Sequence, residues 1–210
     1  MGLAMRKTIY IFGIMLMLVG CNFGEWHFVD FTNVENVHPG MFRVVSQRQT
    51  DLKQLVEDPS QLALWGMSPA DTAQHVASEI SPAQRASSIS INYVAQQLLD
   101  VSKMSSAIEL SGVYESVDLD GNPILLSGKV ILPAKEPIKR YILVSHYTIA
   151  SNAEAPSNIF SLEGLLVKLG YALIIPDYLG YGITADQVHP YLVMDITARN
   201  VLDMYDAVVP

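Results

Sequence analysis

Two short loops carry the residue types that could perform nucleophilic chemistry. They are Ser145-His146-Tyr147-Thr148-Ile149 and Asp177-Tyr178-Leu179-Gly180-Tyr181-Gly182, and each follows a short apolar run. Serine, histidine and aspartate form the triad of acyl-transfer enzymes, in which the histidine activates the serine hydroxyl. Ser145 and His146 are adjacent, however, so on a strand their side chains point to opposite faces. We therefore do not expect these two residues to act as a nucleophile and its base.

The second loop could also suggest a phosphate or metal site. Gly180 and Gly182 lack the spacing of a phosphate-binding loop and no lysine follows them, so we expect them to serve tight backbone geometry. Asp186 and His189 have no third ligand nearby, which argues against zinc. We expect neither a metal nor a cofactor, and we expect Asp177 to accept backbone N–H groups of its own turn.

The apolar runs before these loops, 141–145 and 171–175, are typical of central parallel strands that are buried on both faces. Ligands of parallel α/β sheets bind beyond the carboxyl ends of the strands. The two loops should therefore lie side by side. Between the strands we predict a helix from Ser157 to Leu169, ended by Gly170.

The preceding segment indicates an antiparallel hairpin. Apolar residues alternate from Ala107 to Asp118 and again from Ile124 to Leu132, and the turn signal Asp120-Gly121-Asn122-Pro123 separates the two runs. A helix over 191–209 is predicted to follow the second loop. A hairpin followed by strand, helix, strand and helix predicts an α/β fold, with parallel strands joined by crossover helices.

Upstream, we interpret 51–106 as a helical prelude and 21–50 as a tether. Within the prelude, Ser68-Pro69 and Ser81-Pro82 each pair an N-cap residue with a proline at the first helical position. Residues 107–210 then form the domain that carries the two loops.

The N-terminus has the pattern of a targeting segment. Arg6 and Lys7 precede an apolar run over 9–19, which is shorter than the roughly 20 residues that a membrane-spanning helix needs. The run ends in Leu18-Val19-Gly20-Cys21, which resembles a bacterial lipoprotein signal. We therefore expect loss of residues 1–20, acylation of Cys21 and anchoring to a bacterial membrane after export, to the outer membrane or cell surface rather than the inner membrane.

The charge balance excludes one class of partner. The chain has 13 basic and 21 acidic side chains and a net charge of −8. Loss of Arg6 and Lys7 with the leader makes the mature chain more acidic still. Nucleic acid is therefore not an expected partner.

The pieces around the two loops resemble α/β hydrolases, and more narrowly the secreted lipase family that includes the fungal lipase A enzymes and bacterial relatives. The resemblance covers about 107–209. The matching pieces are Ser116-Val117-Asp118, Gly121-x-Pro123, Ser127-Gly128-x-Val130-x-x-Pro133, Val144-Ser145-His146-Tyr147-Thr148, Ala155-Pro156-Ser157 and Gly170-Tyr171-Ala172-Leu173-Ile174-Ile175-Pro176-Asp177-Tyr178-x-Gly180.

This resemblance implies hydrolysis of lipid or acyl esters by a triad in the order serine, acid, histidine. No G-x-S-x-G occurs in the chain, so all three residues are expected beyond Pro210. The resemblance also implies a backbone oxyanion donor in the loop of Tyr147, Thr148 and Ile149. For the substrate pocket we expect His146, Tyr178 and Tyr181.

We therefore expect a partial α/β-hydrolase fold and the N-terminal portion of an exported serine hydrolase, inactive by itself. Two alternatives stay open. One is a membrane-attached binding module that has a hydrolase-like half-sheet without catalysis. The other is peptidase chemistry, since the fold does not fix the substrate.

Overall fold

A computed structural model describes residues 9–12, 28–34, 37–57 and 106–209. In this part of the chain six strands form one sheet in the order β1-β5-β6-β4-β3-β2. The strands are β1 (Ile9–Phe12), β2 (Arg43–Asp51), β3 (Ser106–Val117), β4 (Pro123–Pro133), β5 (Arg140–Ser145) and β6 (Tyr171–Pro176). The α-helices are α1 (Leu52–Glu57) and α2 (Met194–Val208), and a 3-10 helix spans Leu162–Leu169. The predicted α/β class is confirmed.

The predicted hairpin is formed by β3 and β4, which pair antiparallel from Ala107 opposite Pro133 to Val117 opposite Pro123. At its turn the Asp118 carboxylate accepts hydrogen bonds from the backbone N–H groups of Asp120 and Asn122, each at 2.9 Å. Side-chain bonds of this kind stabilise tight turns.

The two central strands are also as predicted, because β5 and β6 pair parallel and are buried on both faces. Alternate residues of β6 point to opposite sides of the sheet. Leu173 and Ile175 pack with Phe160 and Leu165 on one side. Ile174 packs with the residues of α2 and the hairpin on the other side, which include Tyr114, Leu126, Val201 and Met204.

Three element boundaries differ from the prediction. Residues 43–50, predicted as part of the tether, form most of β2, which pairs with β3. The helix predicted from Ser157 is a 3-10 helix that begins only at Leu162, although Gly170 ends it as expected, with φ of 83°. The last helix begins at Met194 rather than at residue 191.

The apolar run of the leader contributes the edge strand β1, which pairs parallel with β5 from Ile9 opposite Ile142 to Phe12 opposite Ser145. Removal of residues 1–20 would therefore expose the edge of β5. Most of the predicted prelude, residues 58–105, lies outside the described residues, as does the predicted lipidation site Cys21. In the part of the chain that the structure covers, no helix has the length and apolar character needed to span a bilayer.

Candidate functional site

The loops after β5 and β6 lie side by side and are joined by hydrogen bonds. The Tyr181 hydroxyl donates to the carbonyl oxygen of Ile149 at 2.9 Å. The backbone N–H of Gly182 donates to Oδ1 of Asn152 at 2.6 Å. The loops therefore meet at the carboxyl edge of the parallel strands, where ligands of such sheets bind.

The imidazole of His146 forms one wall of this edge. It stacks on the ring of Tyr178, with centroids 4.0 Å apart and an interplanar angle of 24°. Its Nδ1 lies 2.6 Å from the carbonyl oxygen of Tyr147, and its Nε2 lies 3.2 Å from that of Asp177. Burial lowers the pKa of His146 below its usual value, although both carbonyl contacts oppose that shift. Both ring nitrogens thus face backbone carbonyl oxygens, and the role of His146 in a substrate pocket stays a prediction.

Tyr178 has a backbone φ of +70°, which an L-residue other than glycine seldom adopts. Its side chain is only 7% exposed, and burial raises the pKa of its phenol. Strained backbone conformations persist where the surrounding structure fixes them, and they cluster at functional sites. Here the conformation presents the Tyr178 ring to His146.

Two further rings complete the wall, and sequence reasoning had not placed them there. His189 lies 4.9 Å from Tyr181 and 6.4 Å from Tyr178, between ring centroids. Tyr191 lies 6.1 Å from His189, and its hydroxyl is 3.1 Å from Oγ1 of Thr148. We call these five residues the aromatic wall: His146, Tyr178, Tyr181, His189 and Tyr191. The signal was the density of tyrosine and histidine after β6, from which Tyr178 and Tyr181 were predicted for the pocket, whereas His189 was considered only as a metal ligand.

His189 is held by the backbone, because its Nδ1 lies 2.7 Å from the carbonyl oxygen of Leu179. Asp186, three residues earlier, is exposed. Within the described ranges no three or more histidine, cysteine, aspartate or glutamate side chains come together as metal ligands would.

Asp177 is fully buried, and the predicted role in its own turn is wrong. Its Oδ1 accepts from the backbone N–H of Ser157 at 2.8 Å, and its Oδ2 accepts from the Ser127 hydroxyl at 2.6 Å. Ser127 Oγ in turn accepts from the N–H of Ile183 at 2.9 Å. Burial raises the pKa of Asp177, against these hydrogen bonds. Asp177 thus joins β4, the segment before the 3-10 helix and the second loop.

The two glycines of the second loop serve tight backbone geometry, as predicted. Gly180 has φ of +92°, and a Cβ there would lie within 2.6 Å of the His189 backbone. Gly182 has φ of +58°, and a Cβ there would overlap the side chains of Ser127 and Asp177.

The first loop presents backbone donors at the same edge. Tyr147 and Thr148 are exposed, whereas the side chain of Ile149 is 5% exposed and packs inward. No described residue accepts a hydrogen bond from the backbone N–H groups of these three residues. The next N–H, that of Ala150, is taken by the Glu154 carboxylate at 2.8 Å.

No protein-family model and no curated protein matches the chain. Among solved structures, it is similar to a candidate hydrolase from Legionella pneumophila, at 20% identity and a TM-score of 0.47, over 79% of this chain and 38% of that one. It is also similar to two mutants of the rice cell wall degrading esterase LipA from Xanthomonas oryzae, at 23% identity and TM-scores of 0.45. Those alignments cover 53% and 54% of this chain and 32% of each esterase chain. The chain thus spans about a third of the length of these structures.

Proposed function

We propose that the chain supplies the oxyanion loop and the aromatic wall of an exported serine hydrolase that acts on carboxylic esters. The observation that carries the proposal is the position of residues 147–149. Their backbone N–H groups lie at the carboxyl edge of β5, beside the loop of β6. Preorganised backbone donors of this kind stabilise the negative charge that develops on a carbonyl oxygen during acyl transfer.

The rings of the aromatic wall suit the remainder of an ester substrate. The half-buried rings of Tyr181 and His189 contact each other, and His189 lies beside the buried ring of Tyr178. Aromatic side chains combine a large apolar area with a polar tip, which is the character of an acyl ester. Lipid or acyl esters are therefore the proposed substrates.

The proposal places the nucleophile, the acid and the catalytic histidine outside residues 1–210. None of the chain's serines lies in G-x-S-x-G, and neither ring nitrogen of His146 is available as a base. The chain by itself should consequently not turn over esters. Acylation of Cys21 and anchoring to the outer membrane or the cell surface of a bacterium belong to the same proposal, supported by the sequence at residues 18–21.

The test compares the 210-residue chain with the product of the same reading frame extended downstream. The extended product should hydrolyse p-nitrophenyl butyrate and be labelled by a fluorophosphonate serine probe, whereas the 210-residue chain should do neither. Absence of a G-x-S-x-G within about 40 further residues would reject the enzyme, since the elbow follows the next strand. Labelling of the 210-residue chain would reject the assignment of the nucleophile.

A second function, a non-catalytic binding module, is favoured by one observation. Both ring nitrogens of His146 and both carboxylate oxygens of Asp177 contact other groups of the protein, as expected of residues with a structural rather than a catalytic role. An extended product that binds butyrate esters without hydrolysing them would support this module against the esterase. Hydrolysis of a peptide substrate in preference to the ester would instead support the peptidase.

A further inference from the structure

The loop between β6 and α2 carries exposed apolar side chains beside the aromatic wall. Large apolar residues are exposed at five of the seven positions from 188 to 194, which are Val188, Tyr191, Leu192, Val193 and Met194. Val188, Leu192 and Met194 are 88%, 83% and 78% exposed. We call these five residues the apolar loop. No aspartate, glutamate, lysine or arginine stands between Gln187 and Asp195.

Contiguous apolar exposure of this kind marks a contact surface. Single exposed apolar residues are normal on a protein, and Leu119 and Ile138 are examples in this chain. A contiguous group indicates instead a surface that meets another molecule or a membrane. The apolar loop is such a group, and it adjoins the candidate site because Tyr191 belongs to both.

The exposed side chains project from a base that is fixed to the rest of the protein. Nδ1 of His189 lies 2.7 Å from the carbonyl oxygen of Leu179, and Pro190 is buried. The hydroxyl of Tyr191 lies 3.1 Å from Oγ1 of Thr148. The apolar loop is therefore held in place before any partner arrives, which reduces the entropy lost on binding.

Leu192 has a backbone φ of +64°, which a bulky L-residue seldom adopts. Its side chain is mostly exposed, so packing of that side chain does not account for the conformation. Backbone bonds on either side hold it, from the N–H of Tyr191 to His189 at 2.8 Å and from the N–H of Val193 to Pro190 at 3.1 Å. Strained backbone of this kind clusters at functional sites. Here it keeps Leu192 outside the core.

We propose that the apolar loop inserts into the surface of a zwitterionic lipid layer and so brings that surface to the aromatic wall. Tyrosine favours the boundary between lipid and water, which suits Tyr191 at the edge of the loop. Leu192 and Met194 gain free energy when their apolar area leaves water for acyl chains. The inference does not depend on ester hydrolysis, because the contact with lipid is measured without turnover.

The size and the charge of the apolar loop favour zwitterionic lipid over a protein partner or an anionic membrane. A stable protein interface takes about 20 to 30 residues on each side, far more than the five of the apolar loop. Shallow insertion into a lipid surface needs only a small apolar area. Asp186 and Asp195 flank the loop and are exposed, and the chain has a net charge of −8. Anionic lipid would therefore repel this side of the protein.

A fluorescent label that responds to apolar surroundings tests the proposal in the full chain. Cys21→Ser removes the only native cysteine, and Leu192→Cys then carries a single nitrobenzoxadiazole label. Ile138→Cys is the matched control, because Ile138 is also exposed but precedes β5 at the opposite edge of the sheet. Both proteins keep the leader, so a difference between the two labels cannot come from it.

With phosphatidylcholine vesicles, the emission of the label at residue 192 should rise at least twofold and shift to shorter wavelength, while the label at residue 138 changes little. No change at residue 192, or equal changes at both positions, would overturn the proposal. A stronger response to vesicles that contain phosphatidylglycerol would overturn the choice of zwitterionic lipid. A rise with protein concentration in the absence of vesicles would overturn the lipid surface in favour of a second copy of the chain.

A further substitution tests whether neighbouring side chains enter the lipid together. With the label at residue 192, Met194→Ser should raise the lipid concentration that gives half of the full response at least threefold, because less apolar area is transferred. Ile138→Ser should leave that concentration unchanged. Thermal melts confirm that both variants are folded. An unchanged half-response concentration in folded Met194→Ser would contradict the proposal.

Discussion

The imidazole of His146 lies flat against the ring of Tyr178, with 4.0 Å between the ring centroids. The two residues follow neighbouring parallel strands, β5 and β6, so this single contact joins the two loops of the candidate site. The contact also buries the imidazole and directs both of its nitrogens to backbone carbonyl oxygens. It therefore fixes the loop that carries the proposed oxyanion donors.

The burial of His146 predicts a pH dependence of stability. Because the folded pKa lies below the unfolded value of about 6.5, the free energy of unfolding should be full above that value. It should decline as the pH falls through 6.5 toward the folded pKa. His146→Phe keeps an aromatic ring against Tyr178 and should remove that decline. Urea unfolding of both proteins at pH 7.5, 6.5 and 5.5 measures the free energy of unfolding. An equal decline with falling pH in the two proteins would contradict the prediction.

Replacement of the buried Asp177 should lower the stability of the protein. Asp177→Ala leaves the N–H of Ser157 and the hydroxyl of Ser127 without their acceptor. Hydrogen bonds to charged groups contribute about 1.5 to 3 kcal/mol each, so we expect a loss of about 3 kcal/mol in the free energy of unfolding. Asp186→Ala, an exposed acid in the same loop, should change it by less than about 0.5 kcal/mol. Chemical denaturation of both variants checks this, and equal losses would refute the role of Asp177.

The buried carboxylate of Glu109, which is paired with Arg48 and Lys129, predicts that the protein loses stability in acid. The pKa of Glu109 is lowered to about 2, so its contribution is complete above the unfolded value of 4.5 and is lost as the pH falls toward 2. Glu109→Gln should flatten the unfolding free energy over that interval. It should also destabilise the protein at pH 7, because Lys129 loses its buried counter-charge. Glu115→Gln, on the same strand, is the control, and thermal melts from pH 6 to pH 2.5 provide the comparison. If Glu109→Gln lost stability with falling pH as steeply as the wild-type protein does, the assignment would be contradicted.

Cleavage of the leader should expose a strand edge. Without Ile9–Phe12 the backbone groups of β5 on that side lose their partners, and such edges promote association between chains. A chain that begins at Cys21 should therefore melt lower and associate more than the full chain with Cys21→Ser. Melting curves and light scattering at several concentrations test this. Identical behaviour of the two proteins would mean that β1 contributes nothing to the sheet.

The elements that sequence reasoning found are those whose pattern is local. Alternation and an Asp-Gly turn predicted the hairpin, and continuous apolar runs predicted β5 and β6. Strand β2 was missed because its residues, Arg43–Asp51, are mostly polar. The strand lies at the edge of the sheet and none of its residues is fully buried, so it lacks the apolar pattern that predicts a strand. The helix start was misplaced because residues 155–159 form a turn, in which the N–H groups of Asn158 and Ile159 donate to the carbonyl oxygen of Ala155. The N–H of Ser157 in this turn is bound by Asp177, which is 20 residues away in sequence. Bonds over that separation leave no periodic trace.

The site was predictable to the same degree. The position of the two loops follows from the strands that precede them, but the arrangement of side chains does not. Lys129 stands in an apolar strand without any sequence signal for its partner Glu109. The β3–β4 pairing brings the two residues together diagonally, since Lys129 lies opposite Ser111 and Glu109 lies opposite Ile131. His189 joins the aromatic wall because the loop after β6 folds back over Gly180.

The most direct test of the account is the kcat for p-nitrophenyl butyrate of the extended gene product, with Thr148→Pro compared with Thr148→Ala. Proline removes the backbone N–H of residue 148, whereas alanine retains it. Loss of one oxyanion donor lowers kcat by about 10²- to 10³-fold, so Thr148→Pro should show that loss with KM little changed, and Thr148→Ala should stay near wild type. Equal kcat values for two folded variants would contradict the assignment of this loop.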